Sequence, residues 1–461
     1  MLPQEPMNEH DTRILDELQG RLQRMEIKGT SIDSRTIKEG ELFIAIQGDR
    51  YDGHAFVSDA VRKGAWGALV ERDALEKNYA VMGGHRKVIA VEDTLAALQE
   101  MSMMHRKKFP IPLIGITGSN GKTTTKEMLA SILCQAGSVL KTEGNLNNHI
   151  GVPLMLLKIE KRHKFAIIEM GMSGLGEIET LTRLAQPSVG VITNIGPAHL
   201  QFLGSTETVA QAKGELLQMM RTDGTAVLNA DDQHYVVLKA KYEGPVLSFG
   251  IEQVADVRAK DIRLEQDHTD LMLCADGRSV HVRLRTVGRH NVYNALAAAA
   301  AALATGIPLD TVKVGLEEFR PVAMRSELRE VNGRTILADY YNANPASVKA
   351  ALETLASLKS GRRAVAVLGD MLELGPSAAA LHCEIGQAAA QLGIDLLIGV
   401  GPLGRYIAEG AITAGMPRSR IFEAETTTQG AALLWEQSRP GDIVLVKGSR
   451  GMKMETVLEG F

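Results

Sequence analysis

The spacing of apolar residues divides the chain into helical and strand-like stretches. Near the start, four apolar residues recur at helical intervals: Ile14, Leu15, Leu18 and Leu22. They predict an amphipathic helix within roughly the first 30 residues. The run from Leu42 to Ile46 predicts a short strand, and Asp52-Gly53 a turn soon after it. A basic stretch from His105 to Pro110 then marks a boundary, which we place near residue 109.

The pattern changes after this boundary. The run from Ile111 to Ile116 predicts a buried strand that leads into a glycine-rich loop, and helical sequence follows from Thr123 to Gln135. Three further apolar runs predict strands: Phe165 to Glu169, Val189 to Asn194 and Ala226 to Asn229. Helical stretches alternate with them, which is typical of a parallel sheet with crossover helices. An alanine-rich helix from Asn291 to Thr305 ends at Gly306.

A second alternation of strands and helices begins after Pro321. Four strands are predicted there: Thr335 to Ala338, Ala364 to Leu368, Leu396 to Val400 and Ile443 to Val446. A chain of 461 residues is long enough for about three domains. We therefore expect an α/β protein with domains at residues 1–108, 109–320 and 321–461, the last being a smaller doubly wound domain.

Composition narrows the class of protein. Hydrophobic residues make up 45% and charged residues 23%, which is ordinary for a folded soluble chain. The formal net charge of -4 argues against a dedicated nucleic-acid binder. The three cysteines form no CxxC pair, and no signal-peptide pattern or membrane-spanning run is present. These features predict a cytoplasmic protein.

The segment from Thr117 to Thr124, with the sequence TGSNGKTT, is the strongest chemical signal. It lies between a predicted strand and a predicted helix, which is the context of a phosphate-binding loop. Glycine lets backbone N–H groups approach a phosphate chain, and the helix N-terminus adds donors. Lys122 would reach the β- and γ-phosphates, and the Thr123 hydroxyl would bind Mg²⁺. Ile116 stands where the usual pattern has its first glycine, and a glycine turn with a surface lysine is the alternative.

Polar residues at the ends of later strands add candidates. Glu169 ends an apolar strand, where ligands of parallel sheets bind, so it is a candidate Mg²⁺ ligand; a capping carboxylate is the alternative. His199 follows another strand, although a lone histidine is usually structural. Residues 143–149 are rich in side-chain amides, which suit polar ligands as well as an ordinary turn. Lys213 would by itself be read as a surface lysine.

Together these segments resemble the Mur ligase family of peptidoglycan synthesis. TGSNGKTTTK, EGNLNNHIGVP, EMGM, NIGPAHL, AKGEL and GRHNVYNALAA occur in this order. The resemblance covers about residues 30 to 455, and the segments 339–345 and 368–375 are similar to those of the member that adds D-alanyl-D-alanine. It implies a small α/β UDP-binding domain, a central P-loop ATPase domain with a parallel sheet, and a carboxyl-terminal Rossmann-like domain.

The resemblance also implies an ATP and metal site. The residues it assigns to ATP are Gly118, Ser119, Asn120, Gly121, Lys122, Thr123, Thr124, Asn291, Asn294, Arg325 and Asp339. Those it assigns to two Mg²⁺ ions are Thr123, Glu169, His199 and Lys213, with Lys213 carbamylated by CO₂. Lys122, Glu169, His199, Lys213 and Arg325 would be the catalytic set. Without the family, Arg325 and Asp339 would each be read as part of a surface ion pair.

Substrate contacts implied by the resemblance are spread along the chain. They are Ser34, Arg35, Asn145, Asn148, Tyr341, Asn342, Asn344, Lys447 and Ser449. Ser34 and Arg35 would contact a pyrophosphate, and the segment from Gly48 to Phe56 resembles the same UDP-binding region. Lys447 and Ser449 would contact the dipeptide or the acyl-phosphate, with a basic turn as the alternative. Tyr340 stands where the family pattern has a small residue.

The implied activity is ATP-driven amide formation between UDP-N-acetylmuramoyl-tripeptide and D-alanyl-D-alanine, by a monomer without nucleic-acid partners. Because Arg325 and Asp339 lie in a different predicted domain from the P-loop, we expect domain closure to assemble the site. The alternatives are another ligase of this family, a folylpolyglutamate synthetase, a P-loop ATPase that drives motion or transport, and a nucleotide-binding regulator without turnover.

Overall fold

A computed structural model describes residues 8–48, 51–77 and 87–459. The strands in chain order are β1 Gly29–Ser31, β2 Glu41–Ile44, β3 Gly67–Glu71, β4 Val88–Val91, β5 Leu113–Thr117, β6 Val139–Lys141, β7 Phe165–Glu169, β8 Val189–Ile192, β9 Thr225–Asn229, β10 Val246–Gly250, β11 Val257–Leu264, β12 Thr269–Ala275, β13 Arg278–Leu284, β14 Glu327–Val331, β15 Arg334–Ala338, β16 Ala364–Gly369, β17 Leu396–Val400, β18 Ile421–Ala424 and β19 Ile443–Lys447.

The helices alternate with these strands over most of the chain. They are α1 Glu9–Gln23, α2 Val57–Arg62, α3 Arg72–Lys77, α4 Thr94–Arg106, α5 Lys122–Leu133, α6 Gly151–Leu156, α7 Glu177–Ala185, α8 Leu200–Leu203, α9 Thr206–Met219, α10 Tyr235–Lys239, α11 Arg289–Ala304, α12 Leu309–Glu318, α13 Pro345–Leu358, α14 Ala378–Gln391, α15 Gly404–Thr413 and α16 Thr427–Gln437. None of the helices in the described ranges combines the length and apolarity needed to cross a bilayer.

Backbone hydrogen bonds group the strands into three sheets. The first has the order β1-β2-β3-β4, and its strands pair in parallel. The second has nine strands in the order β13-β12-β11-β10-β9-β8-β5-β7-β6. The third has the order β14-β15-β19-β16-β17-β18. Each sheet carries crossover helices, so the expected α/β class with three successive sheet systems is confirmed.

By contacts the chain divides into two compact units. The first comprises residues 1–115, 137–172 and 176–188, and the second comprises residues 116–136, 173–175 and 189–461. In the first unit, Leu15 and Leu18 of α1 are buried with Leu42 and Leu98, and Leu154 of α6 belongs to the same cluster. Asn8 caps α1 by accepting a hydrogen bond from the Asp11 backbone N–H at 2.8 Å, so the predicted first helix is confirmed.

The second unit contains the alanine-rich helix α11. Its alanines from Ala297 to Ala302 are all fully buried, because small side chains let neighbouring elements approach from every side. In the third sheet, both faces are covered by separate apolar clusters, one containing Leu352 and Leu445 and the other Val365 and Val446. Strands buried on both faces are typical of parallel sheets and give the continuous apolar runs seen in the sequence.

Two antiparallel additions depart from the predicted parallel rhythm. Strands β11, β12 and β13 form an antiparallel extension of the second sheet, and β14 is an antiparallel edge of the third. Along β12 buried and half-buried residues alternate, because only one face is covered. Charged side chains on the exposed faces interrupt the apolar pattern, which is why it did not predict these strands. The boundaries at 108/109 and 320/321 stay a prediction.

Candidate active site

The loop between β5 and α5 has the backbone that a phosphate-binding loop needs. Gly118 has φ 145° and Gly121 has φ 81°, a region that L-residues with side chains rarely adopt. A Cβ at Gly118 would overlap the Thr193 hydroxyl, and a Cβ at Gly121 would overlap the Asn294 amide oxygen. Both glycines are therefore required by conformation and by space. Helix α5 begins immediately after the loop, at Lys122.

The end of the neighbouring strand fixes this loop in place. The Ser119 backbone N–H donates to the Asn194 carbonyl at 2.9 Å, and the Asn120 N–H donates to the Asn194 side-chain oxygen at 3.0 Å. The Asn194 side chain in turn donates to the Asn120 carbonyl at 3.1 Å. The Ser119 hydroxyl lies within 3.0 Å of both backbone groups of Gly196. The loop is thus preorganised by the residues that follow β8.

Lys122, Thr123 and Thr124 form the first turn of α5. The Lys122 ammonium donates to the Gly118 carbonyl at 2.7 Å, so the side chain folds back over the glycine loop. All three side chains are only partly buried. A cation, hydroxyls and the N-terminus of a helix are the groups that bind a phosphate chain. The structure therefore brings the predicted P-loop residues together with suitable chemistry.

Asn291 and Asn294 lie in the first turns of α11 and are both buried. The Asn294 amide donates to the Asn291 side chain at 3.0 Å, and Asn291 donates to the Val287 carbonyl at 2.8 Å. The Thr125 hydroxyl of α5 lies 3.5 Å from Asn294. The structure thus places these two amides against the phosphate-loop helix, where they are engaged with protein groups. Their contact with adenine or ribose stays a prediction.

Lys213 is unusual for a lysine because it is buried. Its side chain is almost entirely buried in α9, with 2% of the residue exposed. Burial lowers the pKa of its amine well below the ordinary value, and the nearby Lys122 charge lowers it further. A neutral, desolvated lysine is a nucleophile, which is the form needed to react with CO₂.

His199 lies beside the same two lysines. Burial is the main reason why its pKa is lowered, and the charges of Lys213 and Lys122 act in the same direction while Glu373 opposes them. Its Nδ1 lies 2.7 Å from a Glu373 carboxylate oxygen. Three of the predicted groups, Lys122, His199 and Lys213, therefore share one electrostatic environment in the second unit.

In the first unit, Glu169 ends β7 with its side chain nearly buried. The Asn147 side chain donates to a Glu169 carboxylate oxygen at 3.0 Å, and the Glu169 backbone N–H donates to the Thr142 hydroxyl at 2.9 Å. The strand therefore ends at Glu169, as the sequence predicted. Asn147 is a residue that the sequence did not single out.

The two predicted asparagines of the amide-rich segment have different positions. Asn145 and Asn148 are both exposed. The Asn148 side chain accepts hydrogen bonds from the Gly151 and Ile150 backbone N–H groups at 2.8 and 3.2 Å, at the start of α6. Asn148 thus has a structural role in this loop, and substrate contacts by either residue stay a prediction.

The predicted UDP contacts lie after β1. Ser34 is buried and its carbonyl accepts from the Lys63 ammonium at 2.9 Å. Arg35 is exposed over 85% of its side chain and pairs with Asp33 at 2.8 Å, so its guanidinium remains accessible to an anion. Within the segment 48–56, residues 49 and 50 lie outside the described ranges. His54 is buried there and bonds Asp52 at 2.7 Å, which is a structural arrangement.

Arg325 lies in the connection before β14. Its guanidinium stacks over the Tyr341 ring, 3.9 Å from the centroid, as a cation–π contact. Its neighbours Met324 and Ser326 have left-handed φ values of 63° and 50°. The structure thus brings two predicted residues, Arg325 and Tyr341, together on an unusual piece of backbone.

Asp339 and Lys447, of which the lysine is buried and the aspartate partly buried, form an ion pair at the ends of β15 and β19. The Lys447 ammonium lies 2.7 Å from the Asp339 carboxylate and also donates to the Asn342 carbonyl at 3.0 Å. Burial would raise the pKa of Asp339, but the Lys447 charge and hydrogen bond outweigh it and the pKa is lowered. The Ser326 N–H donates to the same carboxylate at 3.1 Å. Ser449 is buried and accepts from the Leu372 N–H at 2.9 Å.

Asn344 joins the third sheet system to the phosphate loop. Its side-chain oxygen caps α13 by accepting from the Ser347 N–H at 2.9 Å, and its amide donates to the Asn120 side chain at 2.8 Å. Asn342 is exposed and its side chain accepts from the next backbone N–H. Asn344 is thus the predicted substrate residue with a direct link to the loop.

Four further residues contact the predicted set although the sequence did not select them: Asn147, Asn194, His290 and Glu373. His290 is buried beside the Ser326 hydroxyl at 3.0 Å, and burial lowers its pKa. Glu373 and His290 lie inside quoted family segments, which is the only signal that could have indicated them. Within the described ranges, no three His, Cys, Asp or Glu side chains cluster as a metal site.

Comparison with known proteins places the whole chain among relatives. Residues 26–106 match the profile of the Mur ligase family catalytic domain. Residues 116–302 match the Mur ligase middle domain, and residues 324–450 match the Mur ligase glutamate ligase domain.

Full-length relatives agree with these profiles. The chain is 37% identical over 436 residues to the UDP-N-acetylmuramoyl-tripeptide–D-alanyl-D-alanine ligase of Bacillus subtilis (strain 168), which covers 94% of this chain and 93% of the relative. MurF from Acinetobacter baumannii is similar in structure, with a TM-score of 0.87 at 33% identity, over 100% of this chain and 99% of that one. MurF from Thermotoga maritima, solved in complex with ADP, gives a TM-score of 0.82 at 29% identity, over 94% and 96%.

Proposed function

The chain belongs to the Mur ligase family, and from this premise we propose that it joins D-alanyl-D-alanine to UDP-N-acetylmuramoyl-tripeptide at the expense of ATP. The product is the pentapeptide precursor of peptidoglycan. The observation that carries the proposal is the 37% identity over 94% of the chain to a ligase of this specificity. The preorganised glycine loop beside the buried Lys213 supports it independently.

The reaction proceeds in two transfers. The terminal carboxylate of the tripeptide attacks the γ-phosphorus of ATP, forms an acyl-phosphate and releases ADP. The free amine of D-alanyl-D-alanine then attacks the acyl carbon, loses its proton and gives a tetrahedral intermediate. Collapse of this intermediate expels phosphate and leaves the new amide bond. The carboxylate and ATP are both anionic, so the protein must neutralise and position them.

The side chains of this protein supply that neutralisation. The loop residues Gly118, Ser119, Asn120 and Gly121, with Lys122, Thr123 and Thr124 at the start of α5, would bind the phosphates. Arg325 would reach the phosphates from the carboxyl-terminal domain, and its guanidinium is stacked on the Tyr341 ring. Asn291 and Asn294 would lie near the adenine and ribose, and Asp339 would accept from the ribose hydroxyls.

The residues present also fit the expected Mg²⁺ ions. The Thr123 hydroxyl, the Glu169 carboxylate and the His199 imidazole are suitable donors, and a carbamate on Lys213 would add an anionic oxygen ligand. Burial lowers the pKa of the Lys213 amine, which favours this modification, because the neutral amine nitrogen attacks the CO₂ carbon and then loses a proton. When bound, Mg²⁺ would neutralise charge on the phosphates.

Substrate residues follow the three proposed domains, 1–108, 109–320 and 321–461. Ser34, Arg35, Asn145 and Asn148 would contact the UDP-linked tripeptide. Tyr341, Asn342, Asn344, Lys447 and Ser449 would contact the dipeptide or the acyl-phosphate. Because the substrate is a nucleotide-linked precursor, we place the enzyme in the cytoplasm, as a monomer that sedimentation velocity can check.

One assay separates this function from its alternatives. Phosphate release is measured with UDP-N-acetylmuramoyl-tripeptide, carrying either lysine or diaminopimelate, while the amino-acid partner is varied. Release that requires D-alanyl-D-alanine is the expected result. Release with a single amino acid instead of the dipeptide would indicate another ligase of the family. Release without either substrate would indicate an ATPase, and nucleotide binding without turnover would indicate a regulator.

The metal role of Lys213 is tested by Lys213→Ala. We expect turnover to be nearly abolished, and a carbamate signal in ¹³C NMR with ¹³C-bicarbonate to disappear. Lys260→Ala, at an exposed lysine of β11, is the matched control and should keep both. Full activity of Lys213→Ala would refute the assignment.

A further inference from the structure

The contact between His199 and Glu373 differs from an ordinary surface ion pair in its position and in the backbone conformation of both residues. His199 lies just before α8 and Glu373 lies in the loop after β16, so they belong to different sheet systems of the second unit. The Nδ1 and carboxylate atoms are 2.7 Å apart. Both residues have left-handed backbones, with φ values of 56° and 62°. Non-glycine residues adopt this region mainly where their surroundings require it.

The backbone around this contact reinforces it. The Gln201 N–H of α8 donates to the Glu373 carbonyl at 3.0 Å, so Glu373 is held by its main chain and its side chain at once. Gly375, with φ 58°, brings the loop so close that an added Cβ would lie 3.2 Å from the Gln201 Cα. The loop after β16 is thus seated on α8. The two side chains are 27% and 51% exposed, and an ion pair so accessible to water contributes little to stability.

The chemistry of the pair determines which nitrogen of His199 carries a proton. An ionised carboxylate accepts hydrogen bonds and cannot donate them, so Nδ1 must carry the hydrogen. Nε2 then retains its lone pair, which is the atom that a neutral histidine offers to a metal ion. Removal of a carboxylate that orients a metal-binding histidine in this way typically lowers metal affinity or activity by roughly 10- to 100-fold.

We propose that Glu373 is a positioning residue that holds His199 in the Nδ1–H tautomer, so that docking of the carboxyl-terminal domain completes the cation site on the central domain. The inference rests on the proposed function, because it assumes that His199 binds a cation. It gives the loop at residues 370–375 a defined role. Without Glu373, His199 could rotate and exchange its tautomer.

The test uses the full-length protein, four variants that are compared with it, and His199→Asn for assignment of the NMR signal. Glu373→Ala removes the acceptor, whereas Glu373→Gln keeps an amide oxygen that can accept from Nδ1–H. Glu373→Asp shortens the side chain and preserves the charge, which guards against misfolding of the alanine variant. Glu423→Ala is the matched control, because Glu423 also forms a surface pair, with Arg418 at 2.9 Å, away from His199.

Two readouts do not depend on catalysis. ¹⁵N NMR of histidine-labelled protein with a non-hydrolysable ATP analogue should show His199 protonated at Nδ1, with its signal assigned through His199→Asn. Mn²⁺ binding, followed by electron paramagnetic resonance, should weaken roughly 10- to 100-fold in Glu373→Ala and Glu373→Asp. Glu373→Gln and Glu423→Ala should bind Mn²⁺ as the wild type does.

Kinetics complete the test. In Glu373→Ala, kcat should fall while the KM for D-alanyl-D-alanine stays near its wild-type value, and Glu373→Gln should restore kcat. An Nε2–H tautomer in the wild type, or equal Mn²⁺ affinity in Glu373→Ala and Glu423→Ala, would overturn the proposal. If the wild type shows no D-alanyl-D-alanine-dependent phosphate release, the proposed function fails, and the tautomer and Mn²⁺ readouts still decide the role of Glu373.

Discussion

At the scale of single residues, Gly118 and Gly121 determine the shape of the phosphate loop, because neither position has space for a Cβ atom. The TGSNGKTT segment is recognisable because glycine, lysine and threonine occur in a fixed order between a strand and a helix. Burial of Lys213 is not visible in the sequence, since a lysine in a helix is normally exposed. Among the three asparagines at 145, 147 and 148, only the fold determines which one meets Glu169, because loops have no periodicity.

Gly121→Ala should abolish ATP binding. The new Cβ would overlap the Asn294 amide oxygen, and the left-handed φ of 81° would be strained. Gly306→Ala is the matched control: Gly306 has φ 84° just after the other end of α11, and nothing lies within 4 Å of an added Cβ. Both variants should lose about 1 to 2 kcal/mol of stability from backbone strain. Calorimetric titration with an ATP analogue should detect the loss of binding in Gly121→Ala alone.

Asp370 should make the protein less stable as the pH rises. Its carboxyl is buried and accepts from the Leu403 N–H at 3.1 Å, and burial raises its pKa to about 6. The unfolded chain has a pKa of about 3.9, so the folded state binds the proton more tightly. The resulting stability is fully present below about pH 4 and is lost as the pH rises through 6, by up to about 3 kcal/mol.

Asp370→Asn should therefore unfold at a higher temperature than the wild type at pH 8 and at a similar temperature at pH 4. Scanning calorimetry across this range measures the difference. Asp395→Asn is the opposite control. Although burial acts against it, the hydrogen bond and charge of Lys359 lower the pKa of Asp395. That variant should lose stability at neutral pH and not in acid. A benefit of Asp370→Asn that is equal at all pH values would contradict the argument.

At the scale of elements, the sequence predicted buried strands more accurately than strands with an exposed face. Strand β7 was predicted with its observed bounds because parallel strands covered on both faces are continuous apolar runs. Strands β11 to β13 were not predicted, since their exposed faces carry charges and one of them contains a register shift. Helix α11 was predicted to within two residues because glycine flanks both of its ends. Helix α1 packs on the first core and has no counterpart in the motif-based resemblance.

Asn344 both caps helix α13 and donates a hydrogen bond to Asn120, and substitutions can separate these two roles. Asn344→Ala removes both the cap and the donor to Asn120, whereas Asn344→Asp keeps a capping oxygen and loses the donor. The KM for ATP should rise several-fold in both variants. Stability should fall by about 1 kcal/mol only in Asn344→Ala.

Thr426→Ala is the control, because Thr426 caps α16 with the same kind of capping box and has no contact with the loop. It should lose stability by a similar amount and leave the KM for ATP unchanged. If Thr426→Ala raised the KM for ATP as much as Asn344→Ala, helix stability rather than the Asn120 contact would be the cause. Steady-state kinetics with thermal unfolding on the same samples distinguishes the two.

At the scale of the whole molecule, a nearly neutral chain concentrates cations where anionic ligands would bind. Burial lowers the pKa of the Lys213 amine, and the nearby Lys122 charge lowers it further. Length and alternation predicted three α/β domains, and three family profiles match successive parts of the chain, while the domain bounds stay a prediction. The contacts that join the carboxyl-terminal domain to the central one, Asn344 with Asn120 and Glu373 with His199, could not be predicted, because contacts between domains leave no periodic pattern.

Docking of the carboxyl-terminal domain should depend on ligands and on these two bridges. Spin labels at Val254 and Ile412, both exposed, would report the distance between the domains after the three native cysteines are replaced by serine. An ATP analogue with both substrates should narrow the distance distribution to a single docked population. The double variant Asn344→Asp, Glu373→Ala should populate longer distances without ligands and need more ligand to dock. Identical distributions in wild type and variant, with and without ligands, would show that the bridges do not control docking.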